Sequence, residues 1–292
     1  MCYNTHMSYI SLRAYAKINL CLDVTHRRPD GYHELHSIMQ TIDLHDTVTL
    51  HKSSRAGIEL SVDAKNVPGD AGNLAYMAAQ AVFREFALAG GLRITLEKRI
   101  PVAAGLGGGS ADAAAVIRGM DTLYGLGMDT ARMREIGLTI GADIPFLITG
   151  GTAVASGIGE ILTPLPRLPD CQILLACPRL AVSTKWVFEH LSPDEIQAHP
   201  DVAAMADAIR HGNLDAVIAH MANVLEAVTI ARHNIIGEIK QDLLALGAQA
   251  ALMSGSGPTV FAIFYDHAAA QRAKTAMQGE YDVYLTTPIG VH

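Results

Sequence analysis

Four short stretches hold the residues best able to do chemistry. Residues 101–112 read Pro-Val-Ala-Ala-Gly-Leu-Gly-Gly-Gly-Ser-Ala-Asp and place four glycines within five positions: Gly105, Gly107, Gly108 and Gly109. Glycine costs backbone entropy, so such a cluster marks unusual dihedrals or a close approach of the backbone to something else. A strand pattern precedes it at 92–98, and an alanine-rich helical run opens at Ser110 as N-cap. That geometry leaves free N–H groups at the positive end of a helix, which suits an anion such as phosphate. The loop is neither of the best-known phosphate grips. No Lys-Ser/Thr pair follows the glycines, and Gly-x-Gly-x-x-Gly counted from Gly105 ends on Ser110, or from Gly107 on Asp112. The bland alternative is a turn that only packs a strand against a helix. Asp112 puts a negative charge in the first helical turn, where it caps the helix or shares a divalent cation with the anion.

The second stretch is Ala16-Lys17-Ile18-Asn19-Leu20. Residues 16–24 alternate, with Ile18, Leu20, Leu22 and Val24 on one face and Lys17, Asn19, Cys21 and Asp23 on the other. Lys17 and Asn19 therefore share a face and can reach one ligand, unless that face is simply solvated. The third is Gly141-Ala142-Asp143-Ile144-Pro145, which puts a carboxylate on a turn just after a helix pattern, as a reactive group or as a turn cap. The fourth is Gly31-Tyr32-His33, in a turn after Arg27-Arg28-Pro29-Asp30. An aromatic ring and an imidazole there can stack on a base and hydrogen-bond its edge. His33-Glu34-Leu35-His36 lacks the HExxH spacing of a zinc site, and the other histidines scatter as surface residues.

The elements that must position these groups follow from periodicity. Strands are expected at 16–24, 46–50, 58–62, 92–96, 172–177, 250–253, 259–265 and 281–286. Helices are expected from Asn73, as N-cap, to about Leu88, then at 110–124, 130–140, 184–190, 201–210, 213–229, 232–246 (with Gly247 as C-cap) and 267–278. Strands and helices in mixed order, without regular βαβ alternation, predict an α+β class in two lobes. The three prolines of 160–170 suggest the boundary, giving domains at 1–165 and 166–292.

Composition sets the outer bounds. Half of the 292 residues are hydrophobic and 17% are charged, enough for a sizeable core. There is no run of about 18 apolar residues, so no transmembrane span and no membrane partner are expected. The N-terminus shows no basic segment followed by an apolar stretch, so no secretory signal is expected; Met7 is a second candidate start, with poorly ordered residues before it. Cys2, Cys21, Cys171 and Cys177 show no metal or CxxC spacing and read as reduced thiols, which fits the cytoplasm. A net charge of −7 without a long basic block argues against nucleic acid as a partner, though not against one bound nucleotide.

Pro-x-x-x-Gly-Leu-Gly-Gly-Gly-Ser resembles the phosphate-binding motif of the GHMP kinases, named for galactokinase and the homoserine, mevalonate and phosphomevalonate kinases. Ala16–Leu20, Arg28-Pro29-Asp30-Gly31-Tyr32-His33-Glu34, Gly141–Pro145 and Ser254-Gly255-Ser256-Gly257-Pro258-Thr259 resemble one branch of that family, and they occur in its order along nearly the whole chain. The resemblance implies a two-lobed fold with the ATP and substrate sites in the cleft between lobes. It implies an ATP- and Mg²⁺-dependent kinase of isoprenoid synthesis acting on an alcohol that carries a cytidine diphosphate group. No residue is assigned to the magnesium ion, and a monomer or weak homodimer is expected. Two positions depart from the pattern: Tyr15 stands where proline is usual, and Ala111 where a second serine is usual.

Residue by residue, the resemblance implies ATP binding by Pro101, Ala103, Ala104, Gly105, Leu106, Gly107, Gly108, Gly109, Ser110 and Ala111, with Asn73 and Lys98 beside adenine and ribose. From the residues alone, Asn73 is a helix N-cap and Lys98 an exposed strand end. Asp143 would be the catalytic carboxylate, with Lys17 holding it ionised. Asn19, Tyr32, His33, Thr184 and Phe188 would contact substrate, the cytosine lying between aromatic rings; without the resemblance Phe188 reads as core. Gly255, Ser256 and Gly257 would close over the diphosphate, where the plain reading is a hairpin turn. Competing readings are another GHMP kinase acting on homoserine or an isoprenoid phosphate, a diphosphomevalonate decarboxylase, and a silent nucleotide-binding protein on this fold.

Overall fold

A computed structural model describes residues 7–291; Cys2 and the stretch ahead of Met7 lie outside them. In chain order the elements are β1 (Tyr9–Arg27), β2 (His33–Ser53), β3 (Gly57–Val62), α1 (Leu74–Glu85), β4 (Gly91–Glu97), α2 (Gly108–Tyr124), α3 (Thr130–Leu138), α4 (Ile144–Thr149), β5 (Thr152–Gly157), β6 (Ile161–Leu165) and β7 (Gln172–Cys177). Then come α5 (Thr184–His190), α6 (Val202–Arg210), α7 (Leu214–Ala219), β8 (Ala222–Asn223), α8 (Glu226–Arg232), α9 (Ile235–Ala245), β9 (Ala250–Met253), β10 (Val260–Phe264), α10 (His267–Met277) and β11 (Asp282–Thr286). The class is α+β.

Two compact units share these elements. The first takes residues up to Tyr15, His45–Val102 and Gly108–Thr149. In it β4 pairs antiparallel with the second half of β2, from Thr47 opposite Glu97 to Ser53 opposite Gly91, and parallel with β3. The alanines of α2 let this helix lie close to its neighbours: Ala111, Ala113, Ala114 and Ala115 are buried. Gly119 takes the approach furthest, since a Cβ there would lie 2.6 Å from Leu50 Cδ1 and 2.8 Å from Leu12 Cδ1.

The second unit takes Ala16–Leu44, Ala103–Gly107 and the chain from Gly150 onward. In it β5 pairs with the first half of β2 and with β6, and β8 pairs parallel with β1. Strands β11, β7, β10 and β9 form an antiparallel sheet in that order. Leu174, Ala176, Ala262 and Phe264 of that sheet pack with Ile236, Ile239 and Leu243 of α9 and with Ala270, Ala273 and Met277 of α10. All five residues of β10 are buried, as a strand covered on both faces requires.

These units do not divide at one point near residue 165, because β1 and β2 run through both; residues 16–44 and 150–165 group with the C-terminal part. One of the three prolines that suggested a linker has another cause. Pro164 lies in β6, which among the described residues pairs only with β5, and an edge strand tolerates a residue without an N–H. The expected helix at 213–229 is broken by β8, whose residues pair with Cys21 and Leu22 of β1. Helix α2 begins at Gly108, so Ser110 sits inside its first turn rather than capping it. Gly247 closes α9 with φ +94°.

Cys21, Cys171 and Cys177 are buried free thiols. Burial pushes Cys21 and Cys171 up to about 12 and Cys177 to about 11, so they stay protonated and unreactive. Among the described residues no helix is long and apolar enough to cross a membrane.

Candidate active site

The second unit gathers Lys17, Asn19, residues 103–107 of the first glycine loop and the whole of the second glycine turn. Lys17 Nζ donates to Asn19 Oδ1 at 2.7 Å, and Asn19 Nδ2 donates to Ser37 Oγ at 2.9 Å. Ser37 Oγ in turn donates to the Cys21 carbonyl at 2.6 Å. This polar face of β1 is therefore not solvated: Lys17 is 5% and Asn19 1% exposed. The glycine loop is tied to the same strand, since Lys17 N donates to the Leu106 carbonyl at 3.0 Å. Ala104 and Leu106 are buried, and Ala103 takes φ +53°, a costly conformation for a residue with a Cβ.

Gly105 shows what approaches this part of the loop. Its φ is +76°, and a Cβ there would lie 2.3 Å from the Ser254 carbonyl oxygen and 3.0 Å from that of Gly257. Ser254 Oγ donates to the Gly105 carbonyl at 3.0 Å. The second turn joins β9 to β10 as the hairpin reading expects, and it also packs its backbone against the first. A Cβ built on Gly255 would lie 3.5 Å from both Lys17 Nζ and Asn19 Oδ1. Side chains that sequence reasoning missed hold this turn. Asn223 Nδ2 donates to the carbonyls of Met253 and Gly255, Thr229 Oγ1 donates to that of Ser256, and Glu226 accepts from Met253 N. The available signal was Asn-Val-Leu-Glu, a polar pair inside a stretch read as one continuous helix.

The aromatic residues lie in the same unit. Ser183 caps α5 by accepting from Trp186 N, and Thr184 Oγ1 lies 2.8 Å from Ser256 Oγ. One turn along α5, Phe188 places its ring 5.2 Å from that of His33, tilted by 33°. Phe188 is thus partly core, as the bland reading has it, and also a neighbour of the His33 turn. Partial burial, with the charge of Arg27 adding to it, holds the His33 imidazole below its ordinary value. Neutral at pH 7, it offers one donor and one acceptor. Tyr32 stands 60% exposed beside it. Arg28, paired with Asp30 and Glu34, shapes the turn, and Gly31 takes φ +89°.

The first unit carries the remaining residues. Gly108, Gly109, Ser110 and Ala111 form the first turn of α2, and a Cβ on Gly108 would lie 3.0 Å from Ile100 Cγ2, next to Pro101. A Cβ on Gly109 would lie 3.5 Å from Leu74 Cδ1, and one on Gly141 3.9 Å from Ser110 Oγ. The start of α1 and the turn before Asp143 are therefore both neighbours of the α2 N-terminus. Asn73 caps α1, accepting from Ala75 N and donating to the Pro68 carbonyl. Asp143 directly precedes α4, where its carbonyl accepts from Leu147 N.

Lys98 and Asp112 differ from expectation. Lys98 is not an exposed strand end: its ammonium bonds Asp46 and, at 2.5 Å, Asp112 Oδ2, with 6% of its side chain exposed. Asp46 also accepts from the backbone N–H groups of Arg99 and Ile100. Asp112 is neither an end cap nor directed at an anion; it points into this ion group. Burial pushes it up to about 7, with Lys98 opposing and Asp46 adding to the rise. Burial works against the charge of Lys98, but the two carboxylates outweigh it and the ammonium is held above its ordinary value.

The GHMP kinases N terminal domain matches residues 73–151, and the GHMP kinases C terminal domain matches residues 205–283. A 4-diphosphocytidyl-2-C-methyl-D-erythritol kinase of Acetivibrio thermocellus is 46% identical over 284 residues, covering 97% of this chain and 100% of the relative. One of Listeria monocytogenes is 44% identical over 280 residues, covering 96% and 95%. A crystal structure of 4-(cytidine 5'-diphospho)-2C-methyl-D-erythritol kinase superposes with a TM-score of 0.83 at 34% identity, covering 96% of this chain and 100% of the other. A homoserine kinase from Cytophaga hutchinsonii shares the fold, with a TM-score of 0.79 at 19% identity over 100% and 98% of the two chains. The chain is a member of the GHMP kinases, in the family of the 4-diphosphocytidyl-2-C-methyl-D-erythritol kinases.

Proposed function

We propose that this enzyme transfers the γ-phosphoryl group of ATP to the 2-hydroxyl of 4-diphosphocytidyl-2-C-methyl-D-erythritol, a step of the non-mevalonate isoprenoid pathway. The observation that carries the choice of substrate is the His33–Phe188 ring pair, set one helical turn from the Thr184–Ser256 contact. A kinase for homoserine or an isoprenoid phosphate has no base for these rings to hold. A neutral imidazole beside two aromatic side chains suits a cytosine, whose edge presents both a donor and acceptors.

Phosphoryl transfer passes through a loose transition state, so the protein contributes mainly position and charge neutralisation. In our reading the backbone amides of Ala103–Ala111 cradle the phosphates of ATP, while Lys17 offsets charge that develops as the group moves. Asp143 orients the substrate hydroxyl and takes its proton late, because a carboxylate is far too weak a base to strip an alcohol in the ground state. Asn19, Gly255, Ser256 and Gly257 receive the diphosphate side of the substrate, Thr184 adds a polar contact, and Tyr32, His33 and Phe188 hold the base. The polar atoms of Asn73 and Lys98 are engaged within the protein, so we assign these residues to the walls of the adenine and ribose site. Among the described residues no group of three or more His, Cys, Asp or Glu side chains is placed to hold a metal ion. Magnesium would arrive with ATP and would supply charge neutralisation at the phosphates; no residue is assigned to hold it.

The test is an ADP-release assay offering the cytidine-bearing alcohol, homoserine and mevalonate phosphates in parallel. Turnover confined to the first is expected; turnover of homoserine or an isoprenoid phosphate at a comparable rate would overturn the choice of substrate.

A further inference from the structure

We propose that Asn223 is a positioning residue for the reaction, holding the second glycine turn at the depth from which it meets Lys17, Asn19 and the substrate diphosphate. The inference rests on the function proposed above for its kinetic consequences, but its structural premise is independent. Asn223 is 6% exposed and lies in β8, where it pairs with Leu22 of the strand that carries Lys17 and Asn19. Val224 N donates to the Leu22 carbonyl at 3.0 Å, which fixes the register. Both amide hydrogens are used on the turn: Nδ2 donates to the Met253 carbonyl at 2.8 Å and to the Gly255 carbonyl at 2.7 Å. Its Oδ1 accepts from Leu225 N at 3.0 Å, which fixes which way the amide faces. One planar group thus ties β1 to both ends of the Met253–Gly255 segment.

The side chain must be an amide of this length. Aspartate has the same shape but no donor, and it would set a carboxylate against two carbonyl oxygens. Alanine would leave both carbonyls without their donor. Either change releases the Gly255 carbonyl, at a residue where an added Cβ would lie 3.5 Å from both Lys17 Nζ and Asn19 Oδ1, while Ser254 still donates to Gly105. The loss should therefore fall on the substrate side more than on the ATP side.

The experiment compares Asn223→Asp and Asn223→Ala with wild type, with Asn234→Ala as control, since among the described residues the Asn234 side chain bonds only the exposed Glu238. Three readouts are taken: amide hydrogen exchange across residues 253–259, steady-state constants for both substrates, and the thermal midpoint. Losing two hydrogen bonds to buried carbonyls predicts exchange in the turn faster by roughly tenfold or more. It also predicts a KM for the cytidine substrate raised roughly tenfold, a lower kcat, and an ATP KM changed by less than about threefold. The single tryptophan, Trp186, stacks on His190 two residues before Phe188, and its fluorescence reports substrate binding without turnover. Unchanged exchange in the turn would overturn the proposal, as would a lower midpoint with kinetic constants intact. If wild type does not act on this substrate, the function proposed above fails, and the exchange result alone then decides the role of Asn223.

Discussion

Replacing Lys98 by methionine separates two roles for this residue: direct contact with ATP, and neutralisation of a buried pair of carboxylates. Lys98 is the only cation bonded to Asp46 and Asp112 among the described residues, and these carboxylates are 0% and 2% exposed. Asp46 would keep the N–H groups of Arg99 and Ile100, but Asp112 would keep only its acidic neighbour Asp46, since its Oδ1 has no hydrogen-bond partner among the described residues. Removing one partner of a buried ion group costs about 3–5 kcal/mol. At about 2–4 °C per kcal/mol, the thermal midpoint of Lys98→Met should fall by roughly 6–20 °C. The sign of the pH dependence follows from Asp112. Its folded value, about 7 in wild type, lies above the unfolded one, so its contribution is fully present below about pH 4 and is lost as pH rises through 7. Without the ammonium that opposes the rise, Asp112 protonates still more readily, so the loss in Lys98→Met should be smaller at pH 5.5 than at pH 8. Adding Asp112→Asn should recover about half of it. The assay is thermal unfolding by circular dichroism at both pH values, with ATP KM measured alongside. An unchanged midpoint with a raised ATP KM would refute this reasoning and restore Lys98 as a direct ligand.

Gly105→Ala forces a Cβ onto φ +76° and to 2.3 Å from the Ser254 carbonyl, so kcat/KM for ATP should fall more than about tenfold; a change under twofold would count against the contact between the two turns. Phe188→Ala should raise the KM of the cytidine substrate by about tenfold, as expected from about 1–3 kcal/mol of stacking, and leave the ATP KM alone; equal rises for both substrates would point to a folding effect. Because His33 is held below its ordinary value, the KM of the cytidine substrate should stay flat from pH 8 to about 6.5 and rise only below, with His33→Gln removing that rise. A rise already complete at pH 7 would contradict the neutral imidazole.

Periodicity revealed most elements, since apolar spacing of two and 3.6 is a local signal. It misled where both faces of an element are buried. The polar face of β1 reads equally as ligand-facing or as solvated, and only the structure shows Lys17, Asn19 and Asp23 inside, with Lys17 and Asn19 bonded to each other and Asn19 to Ser37. The burial of Lys98 was equally hidden, because its partners lie 52 and 14 residues away. The break of 213–229 into two helices depends on pairing with β1 and on the amide of Asn223, which no propensity encodes. The glycine loop and the Asp-Gly-Tyr-His turn were legible because they specify backbone geometry and exposed chemistry at short range. What pins the second turn was not, since Asn223, Glu226 and Thr229 act on residues about 30 positions further on.

The central claim is that Asp143 and the glycine loop of this chain perform phosphoryl transfer to a cytidine-bearing alcohol. Its most direct test is ADP release with MgATP and 4-diphosphocytidyl-2-C-methyl-D-erythritol, for wild type beside Asp143→Asn, with ATP binding measured in both. Turnover by wild type, a loss of at least about a hundredfold in the variant, and retained ATP binding are expected. Wild-type ATP binding without turnover, or a variant as active as wild type, would contradict it.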